Sequence, residues 1–366
     1  MKNNVLLITS IFPPQVGGPA IFTSRFSNWL NTQQINSTVI TYSIDEISDY
    51  ENVKFVDLRK NRFKAFIKFI RLIKKYSDKN TLILSNGAFV ETFFACLFTK
   101  RKYIAKIPGD QVWELSVNRG WTTSSIENFQ EEKLRIIQKI LRLLFNLAFK
   151  NAKAIVAPSQ QLANFLIAWG VEKQRIELVY NSVDPSKFKN LNITKKRYDI
   201  VTVCRLVTWK GLEELIACAI ELNLRLAIIG DGPLMNDLKH LARNAPIDIE
   251  FKGSLNNEEV ANILNSSRIF VLNSKYEATS YALIEAKMCG LPIIANETDG
   301  SKTLIQESID GYVVKASSTE DLKYFINKLM TTEKIRENFG VEARKDALKR
   351  FNQDINFPRI LNVMRD

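Results

Sequence analysis

Residues 269–292 read IFVLNSKYEATSYALIEAKMCGLP, and this stretch decides the fold. Its first four residues form an apolar run rich in β-branched side chains, which is typical of a buried parallel strand. A polar loop follows, and an apolar helical pattern begins near residue 281. Strand, loop and helix in this order predict an α/β domain built on an open parallel sheet.

Two carboxylates, Glu277 and Glu285, lie eight positions apart in this stretch. Ligands bind at the loop that follows a strand of an open α/β sheet, because free amide groups and the positive end of the helix dipole point there. Ala278, Thr279 and Ser280 are small enough for a ligand to approach the backbone. We expect both carboxylates at the opening of the same pocket, where they suit a ligand with several hydroxyl groups and a phosphate. The alternative is a solvated surface Glu and a helix-terminal Glu that the dipole favours.

Outside this stretch, strand-like runs and helical patterns alternate. The runs in the first half lie at 5–9, 37–41, 53–56, 82–85, 103–107 and 154–158, an alternation that predicts βαβ units and a parallel sheet. Paired glycines, Gly17 and Gly18, follow the first run and would let the backbone approach a phosphate closely, although a plain turn is the alternative. The loop lacks the GxGxxG pattern, which argues against a dinucleotide site.

Three further residues are considered as site candidates. Asp110 ends a Pro-Gly-Asp sequence after the run at 103–107, where a carboxylate can serve a site or a turn. Arg205 and Lys210 lie five positions apart in a loop between a strand and a helix, and both could reach a diphosphate if the loop is not simply solvated. The sole histidine, His240, lies in a polar helical context and is predicted at the surface.

Length and composition predict a two-domain protein of the cytoplasm. A chain of 366 residues exceeds the size at which one hydrophobic core stops growing. The four cysteines form no Cys-x-x-Cys pair and are interpreted as buried thiols in a reducing compartment, without a disulfide framework or a zinc site. The apolar run at 5–8 is too short for a signal peptide, and no run reaches the roughly 18 apolar residues of a membrane span.

The positive charge is concentrated in one half of the chain. Residues 1–187 hold 26 lysines and arginines and 15 acidic residues, a net charge of +11, out of +12 for the whole chain. Within them, 60–76 is predicted as a helix with an apolar face and a basic face of Lys64, Lys68, Arg71 and Lys75. Residues 131–153 predict a helix with two apolar stripes and with Arg135, Lys139 and Arg142 outward. We expect both helices to pack on the sheet with their outer faces near an anionic membrane surface.

The motifs together resemble those of retaining glycosyltransferases of the GT-B fold, family 4, also called glycosyl transferases group 1. The resemblance rests on Glu277-x7-Glu285 with its flanking sequence to residue 295, and on Arg205-x4-Lys210-Gly211, which matches the family's donor motif. The motifs match the family firmly over residues 200–315 and more loosely over the residues before 200. The chain has Ala-Thr-Ser where the family usually has Gly-Phe-Gly, and it has no histidine near Asp110, where many members have one.

The resemblance implies two Rossmann-like domains facing across a cleft. Residues 1–187 would form the acceptor-side domain, 188–350 the nucleotide-sugar-binding domain, and 351–366 a C-terminal helix that crosses back to the first domain. The implied reaction moves a sugar from a nucleotide-sugar donor to a glycan acceptor with retention of configuration, without a cofactor or a bound metal. Consistently, the chain contains no Asp-x-Asp.

Site roles are also implied by the resemblance. Arg205 and Lys210 would neutralise the diphosphate leaving group, Glu285 would accept hydrogen bonds from the ribose, and Glu277 would hold the donor-sugar hydroxyls. The catalytic candidates are Arg205, Lys210, Glu277 and Asp110, whereas Glu285 is a donor-binding candidate. The remaining donor-binding candidates are the small residues near the phosphates and the nucleotide, namely Gly17, Gly18, Gly253, Ala278, Thr279 and Ser280.

The expected acceptor is a glycan linked to a polyprenyl diphosphate in envelope or exopolysaccharide assembly, with the protein bound peripherally to the inner face of the cell membrane. A nucleotide-sugar epimerase of the same architecture is one alternative, but the first half barely supplies the acid and base groups that it needs. A nucleic-acid-binding protein is another, although the basic half lacks a recognisable base-reading motif, so no nucleic-acid partner is expected.

Overall fold

A computed structural model describes residues 4–15, 17–43, 51–59, 61–277, 279–315 and 318–366. The chain forms two compact units. The first comprises Met1–Tyr180 and Phe357–Asp366, and the second comprises Asn181–Asn356. Each unit has its own parallel sheet flanked by helices, so the predicted α/β class with two parallel sheets is confirmed. Within the described ranges, no helix combines the length and the apolar composition needed to cross a bilayer.

The described elements of the first unit mostly alternate between strands and helices, except that β3 follows β2 directly and α4, α5 and α6 are consecutive. In chain order they are β1 (Val5–Thr9), α1 (Gly18–Thr32), β2 (Ser37–Ser43), β3 (Val53–Asp57), α2 (Arg62–Tyr76), β4 (Leu82–Asn86), α3 (Phe89–Thr99), β5 (Ile104–Lys106), α4 (Gln111–Asn118), α5 (Ile126–Phe129), α6 (Ile136–Asn151), β6 (Ala154–Ala157), α7 (Gln160–Ala168) and β7 (Ile176–Leu178).

The first sheet has the order β3-β2-β1-β4-β5-β6-β7, with every pair parallel. The interior strand β1 pairs on both sides, so that Val5 faces Ser37 of β2 and Leu82 of β4. All five side chains of β1 are buried, as expected for a parallel strand that helices cover on both faces. The direction of strand addition reverses between β1 and β4, and ligands bind at such a point in open α/β sheets.

Helices α2, α3 and α6 pack side by side, with α3 in the middle. They share one core with alternate residues of the strands, including Leu6 and Ile8 of β1 and Phe149 of α6. The outer face of α2 carries exposed lysines, which agrees with the predicted division of this helix into an apolar and a basic face. The last residues of the chain also belong to this unit, where the Phe357 ring lies 5.2 Å from that of Phe26 in α1.

The second unit repeats the alternation. Its elements are β8 (Tyr198–Val203), α8 (Leu212–Glu221), β9 (Leu226–Ile229), α9 (Met235–Ala242), β10 (Ile249–Gly253), α10 (Asn257–Asn265), β11 (Ser267–Leu272), α11 (Tyr281–Met288), β12 (Ile293–Asn296), α12 (Asp299–Leu304), β13 (Gly311–Val314), α13 (Thr319–Thr331), α14 (Glu333–Arg350) and the start of α15 (Gln353–Arg365).

The second sheet has the order β10-β9-β8-β11-β12-β13 and is also parallel. Its order reverses between β8 and β11, so the loops that follow these two strands leave the sheet side by side. The helix α11 is tied to the outer helix α14 by a buried cation, because the Nζ of Lys287 donates to Asp310 Oδ2 at 2.7 Å and to Asp346 Oδ2 at 2.5 Å. The fold therefore places both predicted donor motifs at one edge of this sheet.

Candidate functional site

The candidate site of the second unit lies where β8 and β11 end. The loop after β8 carries Arg205 and Lys210, and the loop after β11 carries Glu277. The ammonium of Lys210 donates a hydrogen bond to Oε1 of Glu277, and Ser274 Oγ donates to the same oxygen at 3.1 Å. The two charged side chains are only 14% and 15% exposed, whereas Arg205 is exposed at the start of its loop. The structure thus brings together two residues that the sequence places 67 positions apart.

Backbone geometry after Lys210 suits a phosphate. Gly211 adopts the left-handed conformation, with φ +57°, and a Cβ there would lie 2.5 Å from the backbone oxygen of Asn273. Because Gly211 is also the N-cap of α8, no side chain covers the first amides of that helix from the cap position. Free amide groups at the start of a helix bind anions, and the cation Lys210 directly precedes them.

Asn273 joins the two loops and was missed in the sequence analysis. Its Nδ2 donates to Gly211 O at 2.8 Å, and its backbone oxygen accepts from Asn296 Nδ2 at 3.0 Å. The side chain is buried, so these bonds fix the position of one loop relative to the other. A polar residue directly after a buried strand is the one signal that could have indicated it.

Gly230 follows β9 and packs against the backbone at the start of the Arg205 loop, and Gly253 ends β10. Gly230 has a φ of +130°, and its added Cβ would lie 1.8 Å from Cys204 O, so no other residue fits there. The amide of Gly230 donates to the backbone oxygen of Gly253 at 2.8 Å. The predicted site residue Gly253 therefore lies at the same edge of the sheet as the loop that carries Arg205.

Helix α11 holds the second glutamate. Its N-cap is Ser280, whose Oγ accepts from the Leu283 amide at 3.3 Å, while Thr279 Oγ1 accepts from Asn181 Nδ2 at 2.9 Å. Glu285 lies further along α11 and is buried. Ala278 lies outside the described residues. The two glutamates therefore differ in setting, since Glu277 belongs to a loop and Glu285 to the interior of a helix.

The paired glycines of the first unit follow β1 at the reversal point of that sheet. Gly17 is the N-cap of α1, and a Cβ added to Gly18 would meet no described atom within 4 Å. Packing within the described protein therefore does not explain why Gly18 lacks a side chain. Close approach of a ligand would explain it, and the assignment of Gly17 and Gly18 to the donor remains a prediction.

Asp110 is a fully engaged buried carboxylate. It is the N-cap of α4, and its Oδ1 accepts from the amides of Val112 at 3.0 Å and Trp113 at 3.2 Å. Its Oδ2 accepts from Arg142 at 2.6 Å and from Gln130 at 3.0 Å. These contacts account for Asp110 as a helix cap and an ion-pair partner, and its catalytic assignment stays a prediction.

The expectation that Arg142 faces outward is wrong. Its side chain is 13% exposed, forms the ion pair with Asp110, and places its guanidinium carbon 4.1 Å from the centre of the Trp169 ring. The interactions of the guanidinium with a buried carboxylate and an aromatic ring offset the hydration that it loses on burial. Lys139 is exposed as expected, and His240 is exposed on α9 as predicted.

Two titratable residues near the end of β5 were also missed. Burial lowers the pKa of Lys106, the last residue of β5, to about 7, and its Nζ lies 4.3 Å above the Phe22 ring. Burial, followed by the charge of Asp110, raises the pKa of Glu114 to about 7. Both groups would titrate near neutral pH, which makes them candidates for pH-dependent behaviour.

Comparison with known proteins gives matches along most of the chain. The family model described as "Glycosyl transferases group 1" matches residues 183–346, and that described as "Glycosyltransferase Family 4" matches residues 16–187. One relative, the N,N'-diacetylbacillosaminyl-diphospho-undecaprenol alpha-1,3-N-acetylgalactosaminyltransferase of Campylobacter jejuni, is 25% identical over 83% of this chain and 82% of its own length. Another, the UDP-Gal:alpha-D-GlcNAc-diphosphoundecaprenol alpha-1,3-galactosyltransferase of Escherichia coli, is 30% identical over 50% of this chain and 52% of its own.

The fold also has solved counterparts. The structure of Anabaena Alr3699/HepE in complex with UDP and glucose has a TM-score of 0.78 and covers 99% of both chains at 16% identity. At this identity the likeness shows the fold alone.

Proposed function

Because the chain belongs to the group 1 glycosyltransferases of GT-B type, and is therefore a transferase of the EC 2.4 class, we propose that it is a retaining enzyme that moves a sugar from a nucleotide-sugar to a lipid-linked glycan. The observation that carries this proposal is the ion pair between Lys210 and Glu277 at the reversal point of the second sheet. In this proposal Lys210 serves the diphosphate and Glu277 serves the sugar hydroxyls, and the contact between the two side chains supports a shared donor site.

The proposed donor site uses charge and backbone amides. Lys210 and Arg205 offset the negative charge that grows on the diphosphate as the sugar leaves, and the uncapped first turn of α8 adds amide donors. Glu277 accepts hydrogen bonds from the sugar, and Glu285 from the ribose. The Escherichia coli relative, whose name specifies UDP-Gal, supports a nucleoside-diphosphate hexose as the donor.

We propose that the chemistry needs no bound metal or cofactor, because Lys210 and Arg205 neutralise the charge of the diphosphate. The bond between the sugar and the diphosphate oxygen breaks as the acceptor oxygen bonds to the same face of the sugar. The departing phosphate oxygen takes the proton of the acceptor hydroxyl, so atoms and charge balance without a protein base. The absence of Asp-x-Asp from the sequence supports this reading.

The proposed acceptor is a glycan on a polyprenyl diphosphate, in the assembly of an envelope or exocellular polysaccharide. Both relatives described above carry a diphospho-undecaprenol-linked substrate in their names. Such an acceptor confines the enzyme to a membrane surface, and α2 supports peripheral attachment to the inner face of the cell membrane. Its lysines and arginines are exposed and it contains no acidic residue, and each cation near an anionic surface contributes about 1 kcal/mol.

A thermal-shift screen against a panel of nucleotide-sugars tests the donor site, because a ligand that binds the folded protein raises its unfolding temperature. One nucleotide-sugar should stabilise the wild type and lose its effect in Lys210→Ala. Conversion of that donor to an epimer without free nucleoside diphosphate would indicate a nucleotide-sugar epimerase instead. Salt-sensitive retention of nucleic acid in a filter-binding assay, with no response to any donor, would indicate a nucleic-acid-binding protein.

A further inference from the structure

Helix α6 exposes an apolar stripe along its outer face. Ile136 is 79% exposed, Ile140 49%, Leu143 59% and Leu147 38%. At 3.6 residues per turn these four residues fall within about 60° of one another around the helix axis, and the stripe extends about 16 Å along it. An apolar surface of this length, formed by branched side chains only, indicates an interaction site.

The opposite face of α6 is firmly packed, so the stripe is a second apolar face and not a displaced core face. Phe149 is buried, with its ring 5.0 Å from that of Phe89 in α3. Gln138 Nε2 donates to Ser116 Oγ of α4 at 2.8 Å, and Arg142 is paired with Asp110. The helix is thereby held in a fixed rotation that presents the stripe outward.

Cations border the stripe. Lys139 and Lys150 are exposed and lie about 70° and 50° from its centre by helical geometry, and α6 contains no acidic residue. On the neighbouring helix α3, Leu97 is 53% and Phe98 69% exposed, and the Nζ of Lys74 in α2 lies 4.5 Å above the Phe98 ring. Apolar and basic side chains therefore alternate across the outer surface of three adjacent helices.

From this pattern we propose that the stripe of α6, defined as Ile136, Ile140, Leu143 and Leu147, inserts into the interface of an anionic lipid bilayer. A bilayer offers acyl chains to the stripe and anionic headgroups to its cations at the same depth. A second copy of the chain is a poorer occupant, because two-fold pairing of the stripes would bring the cations of one copy beside those of the other. The inference rests on the proposed function only in that a lipid-linked acceptor also requires a membrane.

Insertion predicts a component of binding that salt does not remove. At about 0.5 M salt the Debye length falls to a few ångströms, so attraction to the basic face of α2 is largely screened. Buried apolar side chains are not screened in this way. Wild-type protein should bind vesicles of anionic phospholipid at low salt and should remain partly bound at 0.5 M salt.

The test is co-sedimentation with anionic vesicles for the triple variant Ile136→Gln, Ile140→Gln and Leu143→Gln. Because each of these side chains is exposed, the variant should fold normally and should lose at least roughly tenfold in vesicle affinity at 0.5 M salt. A matched control replaces three exposed apolar residues of the second unit, Leu241, Ile309 and Val341, by Gln and should bind as the wild type does.

Equal vesicle affinity of the triple variant and the control would overturn the inference. A wild-type dimer in solution that only the triple variant dissociates, with vesicle binding unchanged, would assign the stripe to a second copy and would also overturn it. Transfer to a soluble acceptor analogue reports on the proposed function separately, since the triple variant should retain it. If the protein inserts into vesicles but transfers no sugar, the membrane inference is supported and the proposed function is refuted.

Discussion

The Nζ of Lys210 donates a hydrogen bond to Oε1 of Glu277, and this ion pair joins the loops that follow β8 and β11. Each residue is mostly shielded from solvent, so each serves as the principal counter-charge of the other. In the proposed reaction the donor diphosphate competes for Lys210 while the sugar hydroxyls approach Glu277. The pair therefore keeps both side chains in place, and such preorganisation is what makes electrostatic stabilisation effective.

Loss of the cation should impair turnover strongly. Lys210→Ala should lower kcat by on the order of 10²-fold or more, as for other lost donors to a developing charge, and Arg205→Ala should act in the same direction. Lys323→Ala is the matched control, because Lys323 is paired with Glu221 on a distant exposed surface of the same unit. Wild-type turnover in correctly folded Lys210 and Arg205 variants would mean that the donor diphosphate binds elsewhere.

The two glutamates should have separable effects on ligand binding. Glu285→Gln should weaken the binding of the free nucleoside diphosphate, because its assigned partner is the ribose. Glu277→Gln should leave that binding nearly unchanged and should reduce sugar transfer. Isothermal titration with the nucleoside diphosphate, alongside kcat for the complete donor, measures both effects, and an equal loss of nucleotide affinity in the two variants would refute the division of roles.

The buried cation beneath α11 should be essential for stability. The side chain of Lys287 has no exposed surface, and its ammonium contacts Asp310, Asp346 and the backbone oxygen of Leu304. Lys287→Met would leave two buried carboxylates without this partner, so the free energy of unfolding in urea should fall by about 3–5 kcal/mol. Lys323→Met removes a solvent-exposed ion pair and should leave the free energy of unfolding nearly unchanged. A similar small change for Lys287→Met would show that the carboxylates are neutral or are satisfied by other groups.

Much of the fold could be predicted because parallel strands buried on both faces appear as continuous apolar runs. The predicted runs at 5–9 and 82–85 coincide with β1 and β4 for this reason. The edge strand Ile176–Leu178 was not predicted, because it is three residues long and its central Glu177 is exposed. Short edge strands lack the pattern on which such a prediction depends.

The site was less predictable, because its contacts depend on which strands are neighbours. The motifs indicated Lys210 and Glu277 separately, but their ion pair follows from the adjacency of β8 and β11, which no local pattern encodes. Helical periodicity placed Arg142 among the outward cations, whereas its partner Asp110 lies 32 positions away on another element. Lys287 falls within an apolar helical pattern, and only the fold reveals the acidic pair that it meets.

Stability should depend on pH through Lys106. Burial lowers the pKa of Lys106 from 10.5 to about 7, so between these values the unfolded chain binds a proton that the folded protein does not. The free energy of unfolding of the wild type should therefore rise with pH across this window, by about 1.4 kcal/mol for each pH unit. Lys106→Met has no ionisable side chain at this position, so this part of the pH dependence should be absent. Urea unfolding at pH 7, 8 and 9 should show the wild type gaining stability relative to the variant, and a constant difference between the two would contradict the lowered pKa.

The most direct test of the central claim is acceptor-dependent release of nucleoside diphosphate, measured with a nucleotide-sugar panel and a polyprenyl-diphosphate-linked glycan. With the matching donor, free nucleoside diphosphate should appear only when the acceptor is present. The acceptor should gain the mass of one sugar, NMR should show the anomeric configuration of the donor in the product, and Lys210→Ala should be strongly impaired. Conversion of the donor to an epimer, with no free nucleoside diphosphate and no gain in acceptor mass, would contradict the account.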